Sequence, residues 1–392
     1  MDQIKDDIEH LATARAHRRF GSSGEKQAAD YILGRLKPLV DRAVVMFFKI
    51  PLFSSLFPFV FLGEFTVIAA LAFWWPAISF IYGLIVFSLY QAESFGFPLV
   101  SRYFPGTSSC AVFGDRKHAD FKTLLVFTAY LDSCDCWTQR PFFLRISRYF
   151  LLLIQFAMVL LLAACALDAF ASLHHATYPF TRFFYSAALV FFPLVMTAML
   201  AGGYFNRDTV GANHNASGMA ALLHIAEKFR EKELHGAALL FFFPGAHHGS
   251  RRVMQEVLPT LKVCYDRVLM INLEGVGAGE LCYTDSEGVL QQLPCSRDLV
   301  EAAVRCAPPY QARKVHLSSR ITNAHLPLLQ GFNAISILGL DQNNRPVNYA
   351  AQQDIVDNIS VERVRAAADL AEALARDVIA ATTDPMDACA EP

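Results

Sequence analysis

GANHNASGMAALLHIAEKF (Gly211–Phe229) and ALLFFFPGAHHGS (Ala238–Ser250) decide the fold of this chain between them. From Ser217 to Phe229 the apolar residues recur at helical spacing, so a helix leaves a turn rich in Gly and Asn. Ala238 to Phe243 is a short unbroken apolar run, the signature of a strand buried on both faces. The same signature returns at Leu124–Thr128, Val268–Leu273 and Ala334–Leu338, and helical periodicity returns at Val361–Ala380. Strands alternating with helices predict an α/β sandwich of three layers, with a mixed, largely parallel sheet covered on both faces.

Composition adds a second architecture. The chain has 392 residues, 54% of them hydrophobic, and a mean hydropathy of +0.31, too apolar for an ordinary soluble domain. The excess lies in two blocks. Phe57 to Trp75 is followed after Pro76 by Ala77 to Leu89 with an extension to Val100, and Tyr149 to Leu167 is followed by Phe183 to Gly202 across a loop holding His174, His175 and Pro179. These read as two transmembrane hairpins inserted into one discontinuous domain. The expected organisation is a domain at 1–50, 101–144 and 203–383, hairpins at 51–100 and 145–202, and a loose tail at 384–392 (Asp384 to Pro392). Glu64 is a carboxylate inside the first hairpin, either neutral or facing a neighbouring helix.

A hairpin returns the chain to the side it left. Arg42, Lys49, Arg102, Arg140, Arg145, Arg148 and Arg207 flank the spans on the domain side, against Arg182 on the far side. The positive-inside rule therefore puts the domain in the cytoplasm. Asp2 to Glu9 is charged and carries no apolar core, so no cleavable signal is expected, and nine cysteines are expected as free thiols. Cys134 and Cys136, flanking Asp135, lack the spacing of a zinc pair. A net charge of -2 gives no support for a nucleic-acid partner. There is no internal repeat, phosphate-binding Gly loop or Ser-His-Asp order.

Several motifs in chain order carry a family resemblance. RRFGSSGEKQAADYILGRLKPL (Arg18–Leu39), LLVFTAYLDS (Leu124–Ser133), the two opening segments, MINLEGVG (Met270–Gly277) and NAHLPLLQGFNAISI (Asn323–Ile337) resemble the di-zinc aminopeptidases, metallopeptidase family twenty-eight. Relatives of that family include glutamate carboxypeptidase, the transferrin receptor ectodomain and glutaminyl cyclase. Carried across position by position, the resemblance implies a site of Tyr130, His214, His247, His248, Glu274 and His325, of which only Glu274 and His325 match the family's residue types. Tyr130 stands for the first zinc-binding histidine, His214 for the bridging aspartate, and His247 and His248 for a Glu-Glu pair of base and ligand. Asn348, Tyr349, Ala350 and Ala351 replace a Tyr-His-Thr segment, so a pocket histidine is missing.

Three of the four altered positions are histidine, a common zinc ligand. A neutral imidazole offers one lone pair and does not bridge, so the resemblance now implies one zinc ion rather than two. His214, His248 and His325 would hold it, with Glu274 as a fourth ligand or an outer acceptor. His247 would serve as general base and Tyr130 as a donor to a developing oxyanion, with Asp132 and Asn215 supporting the site. The expectation is a membrane-anchored zinc-dependent hydrolase of peptide or amide bonds. Its rivals are a non-catalytic binding or assembly module and a single-zinc acyl transferase of glutaminyl cyclase type. The second hairpin leaves after Asp132 and rejoins before Gly211, so its roots flank the site and point to a membrane-associated substrate.

Overall fold

The computed structural model describes residues 2–14, 18–51, 53–94, 97, 99–104, 106–116, 121–133, 141–174, 178–204, 209–245, 250–289, 291–349 and 351–381. In chain order the elements are α1 (Gln3–Glu9), α2 (Ser23–Leu36), β1 (Arg42–Pro51), α3 (Phe53–Leu71), α4 (Pro76–Ser94), β2 (Gly106–Arg116), β3 (Thr123–Thr128), α5 (Pro141–Leu173), α6 (Thr181–Tyr204), α7 (Ser217–Glu231), β4 (Ala238–Pro244), α8 (Ser250–Cys264), β5 (Arg267–Glu274), β6 (Glu280–Glu287), β7 (Leu293–Pro294), α9 (Arg297–Cys306), β8 (Arg313–Leu317), α10 (His325–Leu329), β9 (Asn333–Leu340) and α11 (Val361–Ala380). They fall into two units. One comprises Met1–Ile50, Ser108–Pro141 and Arg207–Pro392, the other Pro51–Thr107 and Phe142–Asn206.

The first unit is built on a mixed sheet in the order β1-β2-β4-β3-β5-β9-β6-β7, with β8 on the free side of β6. Its centre, β4-β3-β5-β9, is parallel, while β2 runs antiparallel to β4 and β6 antiparallel to β9. Alternation along the strands explains the two covered faces. Leu125 and Phe127, Phe241 and Phe243, and Leu269 and Ile271 enter a core with α1, α2, α7, α9 and α11. Leu124 and Val126, Leu240 and Phe242, and Val268 and Met270 enter a second core with α8 and α10. A strand packed on both faces needs no polar position, hence the continuous apolar runs in the sequence.

Close approach of α7 to the sheet depends on a small residue. A Cβ at Gly218 would lie 2.5 Å from the carbonyl oxygen of Leu273. The helix can therefore sit directly on β5, which fixes the turn before it against the strand end.

The second unit consists of α3 to α6, with Phe61, Phe65, Ile68, Met158, Leu162, Tyr185 and Phe192 in its core. Among the described residues, three helical segments are long and apolar enough to cross a membrane, namely Pro76–Ser94, Tyr149–Leu173 and Thr181–Leu200. The apolar part of α3, Phe57–Leu71, is shorter. Pro76 opens α4, where its missing N–H costs nothing. Glu64 faces a neighbouring helix: Tyr82 of α4 donates its hydroxyl to Glu64 Oε2.

Candidate functional site

The carboxyl ends of β4, β3, β5 and β9 lie along one edge of the sheet, because these strands are parallel. Tyr130 and Asp132 follow β3 and are buried, and Glu274 is the last residue of β5, also buried. His214 sits in a π-helical turn, Ala212–Ala216, that runs directly into α7 and is wholly buried. Tyr130 lies beside it, with ring centroids 6.3 Å apart. His325 opens α10 on the far side of the loop after β8. His247 and His248, and Cys134, Cys136 and His175 with them, lie outside the described residues, as does the tail from 382.

The π-helical turn is held by long-range contacts that local sequence does not reveal. Gly211 enters it with φ +69°, and an added Cβ there would meet Asn215, Ser133 and Arg18. Asp354 Oδ1 accepts from the backbone N–H groups of Asn213 at 2.5 Å and His214 at 3.3 Å, satisfying donors that a helix start leaves open. Asn213 donates to the Val347 carbonyl at 2.6 Å and accepts from Gly277 N–H at 2.7 Å, so one side chain clamps three loops. Asn215, carried from the resemblance as a supporting residue, donates to the Asp132 carbonyl and accepts from Arg18 Nη2. Arg18 is completely buried and also donates to the carbonyls of Leu11 and Gly211. Burial lowers its guanidinium to about 10, against the opposing pull of Asp354 and Asp132.

Glu274 is where the charges meet. Its Oε1 accepts from Arg320 Nη2 and from the Tyr349 hydroxyl at 2.7 Å, and His214 Nε2 lies 3.5 Å from the same oxygen. The Arg320 guanidinium lies 4.0 Å from the Tyr349 ring centroid, and the Tyr349 ring is 3.9 Å from that of His214. Arg320, His214 and Tyr349 thus form a stack along one carboxylate. Glu274 Oε2 is buried with no hydrogen-bond partner among the described residues.

A second polar cluster anchors the loop that carries Arg320. Thr322 Oγ1 donates to the carboxylate of Glu287, 2.8 Å from its nearer oxygen, lies 2.7 Å from Ser336 Oγ and accepts from Ala324 N–H. Glu287 is fully buried, and burial pushes its carboxyl up to about 7, with the Thr322 hydrogen bond opposing. Cys110, Cys282 and Cys295 are free and buried, and burial raises their thiols to about 12, about 11 and about 12, so they are neutral at physiological pH.

In overall form the chain matches solved structures of zinc-dependent exopeptidases. A zinc aminopeptidase from Bacillus subtilis superposes with a TM-score of 0.54 at 14% identity, over 95% of this chain and 94% of its own. A Zn-dependent exopeptidase from Parabacteroides distasonis gives 0.55 at 12%, over 95% and 96%. The fold is aminopeptidase-like. A glutaminyl cyclase from Bacteroides thetaiotaomicron bound to N-acetylhistamine shares it, at 0.54 and 12% over 96% and 97%. No protein-family model and no curated protein matches the chain in sequence.

The sequence resemblance implies zinc, and two of the matched structures are named for it. A structural or catalytic zinc takes at least three protein ligands. Among the described residues, no three His, Cys, Asp or Glu side chains come together to hold a metal ion. His214 and Glu274 are adjacent, but Glu274 already receives a guanidinium and a phenol. The described residues therefore do not by themselves fit zinc. Arg320 and Asp354, and the fully buried Arg18, are site residues that sequence reading missed. The local signal was the departure at Asn348–Ala351, the segment from which the expected pocket histidine is absent.

Proposed function

We propose that this chain is a membrane-anchored protein whose aminopeptidase-like pocket binds a peptide or amide group, and that protein contacts, not a metal, hold the pocket in its resting state. The observation that carries the reading is the convergence of Arg320 and Tyr349 on Glu274, the carboxylate that zinc chemistry would need uncompensated. The fold supplies the ligand class, since its structural neighbours are exopeptidases and a glutaminyl cyclase. The apolar helices supply the anchor. The insertion of α5 and α6 between Ser133 and Thr209, both buried, puts that pair next to the site in the chain and favours a ligand that is itself membrane-associated. The soluble unit is assigned to the cytoplasm by its basic flanks.

A second reading is zinc-dependent hydrolysis of peptide or amide bonds with a single ion. It is favoured by the 3.5 Å approach of His214 Nε2 to Glu274 and by the open Oε2. His248 and His325 would complete the ligands, with His247 as base and Tyr130 as oxyanion donor. Acyl transfer of the glutaminyl cyclase kind is the variant of this reading that would release ammonia from an N-terminal glutamine.

The deciding experiment is hydrolysis and ammonia release by the detergent-purified full chain on aminoacyl and glutaminyl peptides, with and without added zinc. No turnover, with retained peptide binding in a thermal-shift assay, is the expected result. Turnover abolished by His248→Ala with His325→Ala would overturn the binding reading and establish the second.

A further inference from the structure

We infer that Arg320 is the resident cation of the Glu274 site, a built-in plug that excludes divalent metal from it. The inference deepens the binding reading above by naming what controls the site.

The geometry assigns the role. A buried carboxylate must be compensated, by hydrogen-bond donors or by a cation. Glu274 is compensated on one oxygen by Arg320 and Tyr349 together. The Arg320 side chain is nine-tenths buried, at 10% exposure, and its guanidinium lies over the Tyr349 ring, which is tilted against that of His214. It is therefore the more exposed partner of two wholly buried ligand-type groups, Glu274 and His214. A divalent ion bound to Glu274 and His214 would face this fixed positive charge at close range in a poorly screened setting.

Arg320 is also placed there rather than passing through. Two residues on, Thr322 is tied to Glu287 and Ser336 inside the domain, and Arg320 shares its loop with that anchor. Take the guanidinium away, and a buried carboxylate is left beside a buried imidazole. That pair, with one oxygen of Glu274 already open among the described residues, is a nucleus for a metal site.

The test is a zinc titration of the detergent-purified full chain in competition with a chromophoric chelator. Wild type is expected to take up no stoichiometric zinc and to melt at the same temperature with zinc or with chelator. Arg320→Ala and the bulkier Arg320→Met are each expected to bind about one zinc per chain, at least about 100-fold more tightly than wild type. Adding Glu274→Gln to either should abolish that gain. Equal zinc affinity in wild type and both variants, tight or absent, would overturn the inference. If neither variant folds, wild type decides alone: stoichiometric zinc that raises its melting temperature refutes the plug. Peptide turnover is read separately, so a zinc-binding variant without hydrolysis sustains the plug whatever becomes of the second reading.

Discussion

The hydroxyl of Tyr349 donates to Oε1 of Glu274 at 2.7 Å, joining residues 75 apart in the chain at the carboxyl end of β5. The pairing makes Tyr349, in the segment where the resemblance leaves a pocket histidine missing, a donor to a carboxylate. Tyr349→Phe keeps the ring that carries the Arg320 guanidinium and removes only that donor. The expected cost is about 1–3 kcal/mol, read as a lowered melting temperature in detergent. An unchanged melt would show that Arg320 alone satisfies the oxygen.

Asp354 holds the π-helical turn by accepting from Asn213 and His214, and it also faces buried Arg18. Asp354→Ala leaves those donors unpaired and Arg18 with Asp132 as its remaining counter-charge, and should destabilise the fold by roughly 2–4 kcal/mol. Asp354→Asn, which keeps an acceptor oxygen but not the charge, should fall between. Thermal melts of the pair, compared with wild type, check the order.

Glu287 gives a pH signature. Its folded carboxyl is raised to about 7 from 4.5, chiefly by burial, so between those pH values the native state holds the proton more tightly than the unfolded chain. Its contribution to stability is complete below pH 4.5 and is lost as pH rises to about 7, a change of roughly 3 kcal/mol. Glu287→Gln stays neutral and should abolish that part of the profile. The variant should gain stability over wild type on going from pH 5 to pH 8. Parallel melting profiles across that range would contradict the assignment.

Two glycines predict opposite signs. Gly218→Ala drives a Cβ to 2.5 Å from the Leu273 carbonyl oxygen, a backbone atom that cannot move aside, and should cost about 2 kcal/mol or more. Gly34→Ala, inside α2 with no atom within 4 Å of the added carbon, should instead stabilise by about 0.5–1 kcal/mol. Chemical or thermal denaturation of both variants in one detergent provides the comparison.

Much of the sheet was legible because a strand packed on both faces cannot afford polar residues. Leu124–Thr128, Ala238–Phe243, Val268–Leu273 and Ala334–Leu338 fall inside β3, β4, β5 and β9, and Val361–Ala380 coincides with α11. Within the Arg18–Leu39 motif the helix is α2, which Ser22 caps by accepting from Glu25 N–H, and Arg18 lies in the segment before it. β6 and β8, whose faces are only partly apolar, gave no such run.

The sequence by itself determined the periodicities and the order of the motifs, because these depend on neighbours a few residues away, while Glu274 and His325 as ligand types are what the family resemblance implies. Tertiary structure alone decided that Arg320 and Tyr349 meet on Glu274, and that Asp354 and buried Arg18 hold the turn of His214 from 140 and about 200 residues away. Which charge compensates a buried carboxylate depends on distance in space and on the loss of water around it, and neither is written in local spacing.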